Sequence, residues 1–158
     1  MPLPENLTPQ QAMVIGTAGL TAMLCVQGLV NSGITPESGE ILVTGASGGV
    51  GSVAVTLLNE LGYKVTAVTG RVAENEALLT SLGANTVLDR AEFTKKCRPL
   101  EKQRWAGVVD TVDSQILANI LTQVQYGGSV AMCGLAAGFD LPTTVMPFIL
   151  RGVNFATI

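Results

Sequence analysis

At 158 residues, 47% hydrophobic and with a mean hydropathy of +0.43, the chain can bury one core and is too apolar to be a disordered segment. The net charge is −3, and the nine Lys and Arg lie scattered from Lys64 onward without a cluster, so a nucleic-acid partner is not expected. There is no His, and the three cysteines, Cys25, Cys97 and Cys133, are far apart in sequence, which excludes the usual zinc ligand sets, Ser-His-Asp triads and Cys-His dyads. All three are expected to be buried thiols of a protein in a reducing cytoplasm.

Residues 1–6 read as a linker. Thr8, Pro9 and Gln11 predict a helix start, with Thr8 as N-cap, Pro9 in the first helical position and Gln11 completing a capping box. The helix that follows is uncharged over residues 12–30, long enough to raise a membrane span. No Lys or Arg precedes Lys64, however, and Gly16, Thr17, Gly19, Thr21, Gln27 and Gly28 dilute the run. A helix buried against a sheet and a neighbouring domain is expected instead, with no membrane partner. Residues 31–40 form a loop into a first strand at 40–44. Further strands are predicted at 63–68, 86–88, 107–112, 128–133 and 153–158. Helices alternate with them at 53–61, 74–82, 115–124 and 143–150, and residues 89–105 are a loop with a short helix. This alternation predicts an α/β fold, a Rossmann doubly wound parallel sheet of about six strands with helices on both faces, in the order 3-2-1-4-5-6.

The first strand opens the most informative stretch, Ile41-Leu-Val-Thr-Gly-Ala-Ser-Gly-Gly-Val-Gly-Ser52. Gly45, Gly48 and Gly51 allow a sharp turn, close approach of the backbone to a pyrophosphate, and tight helix-on-sheet packing. The helix would turn its free N–H groups and positive dipole end toward the phosphates. The strict dinucleotide pattern has Ala46 in place of its first glycine, so the strand before, the helix after and the second strand beyond carry the reading. A carboxylate ending the second strand would select NAD, and none is present. Thr69 and Gly70 fill that place and Arg71 follows, where its guanidinium can hold a 2′-phosphate with help from the Thr69 hydroxyl. NADPH is the expected cofactor; the alternative is a solvated arginine. Arg90 closes the third strand near the same edge, and on the residues alone it is equally a surface side chain or a cover for the adenine or its phosphate.

The glycine stretch is compatible with a short-chain dehydrogenase, but the Tyr-x-x-x-Lys of those enzymes is absent: Ala67 stands four residues after Tyr63 and Val130 four after Tyr126. With Gly16-Thr-Ala-Gly-Leu-Thr-Ala22, Ser81-Leu-Gly-Ala84, Asp110-Thr-Val112 and Tyr126-Gly-Gly128, the chain resembles the nucleotide domain of the medium-chain, zinc-independent reductases. Cys133-Gly-Leu135 and Leu141-Pro-Thr-Thr-Val-Met-Pro-Phe-Ile-Leu-Arg151 resemble the acrylyl-CoA reductase group of the quinone oxidoreductase-like family. The resemblance covers nearly the whole chain. It implies NADPH-dependent reduction of the double bond of acrylyl-CoA or a related enoyl-CoA, with Ser47, Gly48, Gly49 and Val50 on the pyrophosphate. It also implies Thr69, Gly70 and Arg71 on the 2′-phosphate, Arg90 at the adenosine end, and Leu135 and Ile149 toward the nicotinamide. Thr17 and Ala18 are expected behind the cofactor as packing. Asp113 departs from the group, whose members usually have glycine after the Asp-Thr-Val segment.

Family members are longer, so the resemblance further implies that residues 1–158 are a cofactor domain lacking the N-terminal catalytic domain and the C-terminal return. Such a domain would hold no catalytic residue and no metal ligand, bind NADPH weakly at most, and have little activity alone. A homodimer paired through the sixth strand is expected of the intact enzyme. Two other functions remain open: an NADPH-dependent quinone or small enone reductase, and a non-enzymatic NADPH-sensing module. Only the absent domain, where a CoA-binding basic groove would or would not appear, separates the two substrate classes.

Overall fold

The structure, a computed structural model, describes residues 2–156 and 158. Met1, at the head of the expected linker, and Thr157, inside the expected sixth strand, lie outside the described residues. Helix α1 (Pro9–Asn31) starts as its sequence predicts: the Thr8 hydroxyl accepts the Gln11 N–H at 3.2 Å, and Gln11 Oε1 accepts the Thr8 N–H at 2.9 Å. It is not continuous, contrary to the sequence reading. Gly16 adopts φ 53°, ψ −162°, a conformation cheap only for glycine, and the helical ladder breaks there. Ahead of the kink Met13 and Val14 are 82% exposed; burial begins at Gly19 and continues through Ala22, Cys25, Val26 and Leu29. Only the second part of α1 therefore packs on the sheet, although the whole helix is long and apolar enough to cross a membrane.

Six strands form one parallel sheet among the described residues, in the predicted order: β3 (Thr86–Asp89), β2 (Val65–Thr69), β1 (Glu40–Val43), β4 (Trp105–Asp110), β5 (Val124–Met132) and β6 (Asn154–Ala156). Leu42 faces Thr66 of β2 and Val108 of β4, and Val108 faces Val130 of β5. Helices cover both faces, so β2 and β4 are buried along their whole length, without the alternation of buried and exposed residues that marks a one-sided sheet. On one face Ile41, Val43, Val65 and Ala67 meet Cys25 and Leu29 of α1, Val55 and Leu58 of α2 (Gly49–Glu60), and Leu79 of α3 (Val72–Ser81). On the other, Leu42, Val68, Val108 and Val130 meet Ile116, Leu117 and Ile120 of α4 (Ser114–Leu121), with Phe148 of α5 (Met146–Arg151) alongside.

Several boundaries move. Helix α2 begins inside the glycine motif, capped by Gly48, because glycines carry no apolar periodicity to mark a helix start. β4 begins at Trp105 rather than 107, and its register against β5 shifts between Trp105 and Gly107. α5 begins at Met146, after residues 143–145.

The cysteines also depart from expectation. Cys25 is buried, but Cys97 and Cys133 are only partly so. Cys97 lies in the irregular segment before β4. Cys133 follows β5, packs against the core that contains Cys25, and donates its S–H to the Asp110 carbonyl at 3.4 Å.

Tyr63, almost buried ahead of β2, donates its hydroxyl to the Ile34 carbonyl at 2.6 Å and ties the loop after α1 to the sheet. Tyr63→Phe is expected to cost about 1 kcal/mol. Thermal unfolding should then shift down by about 2–4 °C; an unchanged midpoint would refute a stabilising role for this bond.

Candidate functional site

Beyond Val43 the chain turns at the carboxyl end of β1. Gly45 takes φ 55°, the Ala46 N–H donates to the Val68 carbonyl at 3.1 Å, and the Gly48 N–H returns to the Gly45 carbonyl at 2.9 Å. The turn is thus closed on itself and pinned to β2. A Cβ at Gly51 would stand 2.7 Å from the Ala46 Cα and nearer still to the Gly45 carbonyl, so α2 can lie this close to the turn only without a side chain there. A Cβ at Gly49 would come within 3.3 Å of the Ala18 Cβ, which places Ala18 in packing behind the turn. The first-turn N–H groups of Gly49, Val50 and Gly51 have no partner within the helix and point, with its positive dipole end, to the same opening.

The ends of β1 and β4 are clamped beside this turn. Asp110, fully buried, accepts the Thr44 hydroxyl at 2.7 Å and the Asp113 N–H at 2.7 Å. Burial holds its carboxyl above the ordinary carboxylate range, against the pull of both hydrogen bonds. The Thr44 oxygen in turn accepts the Thr111 N–H at 3.0 Å, and the Thr111 hydroxyl donates to the Thr44 carbonyl at 3.0 Å.

Asp113 follows with φ 65°, ψ −164°, a region that only glycine occupies without strain, and Ser114 also has a positive φ of 61°. The Asp113 side chain compensates in part by accepting the Ser114 N–H at 2.7 Å, as the cap of α4. Asp113→Gly is expected to raise stability by about 1–2 kcal/mol, strain relief outweighing the lost cap. Chemical denaturation would test this, and a lower unfolding midpoint would contradict it.

At the end of β2 the Ser47 and Thr69 hydroxyls lie 3.2 Å apart, and the Thr69 oxygen accepts the Arg71 N–H at 3.3 Å. The Asn75 amide reaches the Thr69 oxygen at 3.5 Å and the Arg71 carbonyl at 2.9 Å, fixing this corner to the first turn of α3. Arg90 lies flat over Gly70: a Cβ at Gly70 would be 3.1 Å from the guanidinium carbon. The Arg71 side chain is 69% exposed and makes a loose pair with Glu74 at 3.6 Å.

Ser47, Thr69, Gly70, Arg71 and Arg90, all singled out from sequence, line one open cleft of about 250 Å³. Thr44, Gly45, Val68, Val112 and Ile116 complete it. Sequence reasoning named neither Thr44 nor Ile116 as site residues. The position of Thr44 immediately before the glycine turn could have found it; Ile116 lies in an apolar helix pattern that does not distinguish cleft from core. Gly48, Gly49 and Val50 stand beside the cleft as the cap and first turn of α2. Leu135 and Ile149 are not brought into it: they are 67% and 72% exposed, in the segment after β5 and on α5. Among the described residues no group of three or more Cys, Asp or Glu could hold a metal ion.

The profile of a family described as zinc-binding dehydrogenase matches residues 49–158. The chain is 55% identical to the acrylyl-CoA reductase AcuI of Ruegeria pomeroyi over 159 residues, which cover 100% of this chain and 48% of that protein. Among solved structures, the yhdH oxidoreductase from Salmonella enterica in complex with NADP matches with a TM-score of 0.95 and 60% identity, over 99% of this chain and 48% of that one. The Bacillus subtilis protein yhfP with NAD bound matches with a TM-score of 0.95 and 50% identity, over 100% of this chain and 48% of that one. The chain spans about half the length of these relatives.

Proposed function

This chain belongs to the zinc-binding dehydrogenase family, and we propose that it is the NADPH-binding domain of a reductase acting on the carbon–carbon double bond of acrylyl-CoA or a related enoyl-CoA. One observation carries the cofactor reading: the cleft at the end of β2 is lined by two guanidinium groups, Arg71 and Arg90, and three hydroxyls, Thr44, Ser47 and Thr69, with no carboxylate in its wall. That donor set suits a 2′-phosphate and lacks the acidic group that would hold unmodified ribose hydroxyls. The substrate reading is supported by the relative from Ruegeria pomeroyi. The family's description does not bring zinc with it, since this chain has no His and no cluster of thiols.

When bound, NADPH supplies a hydride for the β-carbon of the enoyl thioester. The residues of this chain bind and orient it. The turn at Ser47, Gly48, Gly49 and Val50 holds the pyrophosphate against the start of α2. Thr69, Gly70 and Arg71 hold the 2′-phosphate, Arg90 covers the adenosine, and the exposed apolar side chains of Leu135 and Ile149 supply wall for the nicotinamide end. The α-carbon takes its proton from a group outside residues 1–158, which we assign to a second domain that also completes the substrate pocket. The short β6, paired among the described residues only with β5, offers its other edge to a second copy, making a homodimer. A cytoplasmic location is supported by the three free cysteines.

The test is turnover by the full-length enzyme, followed as loss of NADPH absorbance, with acrylyl-CoA and with a quinone offered in parallel. Preferential consumption of acrylyl-CoA is the expected result. Activity with the quinone alone, or with neither, overturns the substrate assignment.

A further inference from the structure

The basic residues are less scattered than the sequence reading has them. Residues 95–104, Lys-Lys-Cys-Arg-Pro-Leu-Glu-Lys-Gln-Arg, hold five of the nine Lys and Arg against one carboxylate, a net +4 in a chain whose total is −3. This segment lies against α4 and borders a second cavity of about 220 Å³, separate from the cofactor cleft. Helix α4 divides the two: Ile116 lines the cofactor cleft, while Gln115, Ala118 and Asn119 line the second cavity.

The cavity is built rather than incidental. Asn119, 2% exposed, donates to the Phe93 and Lys95 carbonyls at 2.6 and 2.8 Å and accepts from the Gln115 amide at 3.0 Å and the Cys97 N–H at 3.4 Å. One buried amide therefore fastens the basic segment to the helix and leaves no polar capacity of its own. The free donors are at the rim. Lys96 makes no ion pair among the described residues. Arg98 binds Glu101 through Nε and Nη2 and keeps Nη1. Thr143 and Thr144 line the same opening, the Thr143 hydroxyl donating to the Thr144 carbonyl at 3.5 Å and the Thr144 oxygen accepting the Met146 N–H at 3.4 Å, which leaves the Thr144 O–H as a donor. Pro99, Pro142 and Ala118 give the interior an apolar wall.

We propose that this cavity holds the 3′-phosphorylated adenosine end of a coenzyme A thioester, with the ring against the prolines and the phosphate between Lys96, Arg98 and the Thr144 hydroxyl. The proposal rests on the enoyl-CoA reading above and places a substrate anchor in the cofactor domain, where the sequence reading looked for it in the absent one. A phosphate alone has no use for the apolar wall, and an acyl chain has no use for the charge; a flat base bearing a phosphate uses both. Residues 142–144 continue from the segment that carries Leu135, so a thioester anchored here leads along one stretch of chain toward the nicotinamide wall.

The full-length enzyme, saturated with NADPH, tests this with two substrates: acrylyl-CoA, and acrylyl-pantetheine, which lacks the nucleotide. In Lys96→Ala/Arg98→Ala the KM for acrylyl-CoA is expected to rise on the order of tenfold, two screened charge contacts being lost. kcat should hold, and kcat/KM for acrylyl-pantetheine should not change. Both residues are exposed, so the variant should fold. An equal fall with both substrates, or no change with either, overturns the anchor. If the unaltered enzyme turns over neither thioester, the substrate reading fails, and the cavity is then judged by titrating NADPH-saturated protein with adenosine 3′,5′-bisphosphate. Binding that the double variant loses supports the cavity as a nucleotide anchor, and absence of binding removes it.

Discussion

Arg71→Ala is expected to weaken NADPH binding on the order of ten- to hundredfold and to leave NADH binding within about twofold. The reasoning runs from local geometry. The Thr69 side chain receives the Arg71 N–H, which sets the backbone so that the guanidinium projects from the end of β2 beside the Ser47–Thr69 hydroxyl pair. A hydrogen bond to a charged group contributes about 1.5–3 kcal/mol when it is made, and only a nucleotide with a 2′-phosphate makes this one. The pair with Glu74 is too long and too exposed to compete strongly. Arg90→Ala should act differently. Its guanidinium rests on Gly70, at the proposed adenosine end, so its loss is expected to weaken both nucleotides. Fluorescence titrations of the purified protein with NADPH and NADH, for each variant, separate the two roles. An equal loss of both nucleotides in Arg71→Ala would refute its assignment to the phosphate. That the yhfP relative was solved with NAD bound makes this comparison informative, because family membership alone does not choose between the cofactors.

Gly51→Val should remove nucleotide binding altogether and cost about 3 kcal/mol or more of stability. The Cβ alone would fall 2.7 Å from the Ala46 Cα and closer to the Gly45 carbonyl, and both of those atoms are backbone. Nothing there can rotate away, so α2 must move off the turn. It would carry with it the first-turn N–H groups proposed to hold the pyrophosphate. It would also open the core where Val55 and Leu58 meet β1. An unfolding midpoint lower by about 6–12 °C is expected for that cost in a chain of this size. Gly48→Ala is the control: its Cβ would lie 3.2 Å from the Gly45 oxygen, a contact that a small shift relieves. The fold should survive in Gly48→Ala, with weaker binding. Full NADPH affinity in Gly51→Val would show that the turn does not hold the cofactor.

These two expectations differ in how far they depended on three-dimensional structure. The place of Arg71 in the cleft was legible from position: one strand after the glycine turn, at a strand end, with a hydroxyl and a glycine before it. The need for glycine at 51 was legible in kind, while the atoms a side chain would strike are visible only with the turn in place. The cysteines show the limit. Far apart in sequence, Cys25 and Cys133 share one core, and neither the partial exposure of Cys133 nor its bond to Asp110 follows from its neighbours in the chain. The clamp of Thr44, Asp110 and Thr111 was invisible for the same reason, since its members lie 66 and 67 residues apart.

By itself the sequence determined the strand order, the two-sided burial of the sheet and the polar side chains that gather at the end of β2. All of these depend on short-range patterns: apolar runs, glycine spacing, and the residue type that ends a strand. Tertiary structure decided the rest. It broke α1 at Gly16 and left the helix's first part exposed, and it placed Asp113 in a backbone region made for glycine. It also folded a basic segment against α4 to frame a second cavity. Each of these depends on which distant surfaces meet, and the free energy of such meetings is shared among residues that no local window contains.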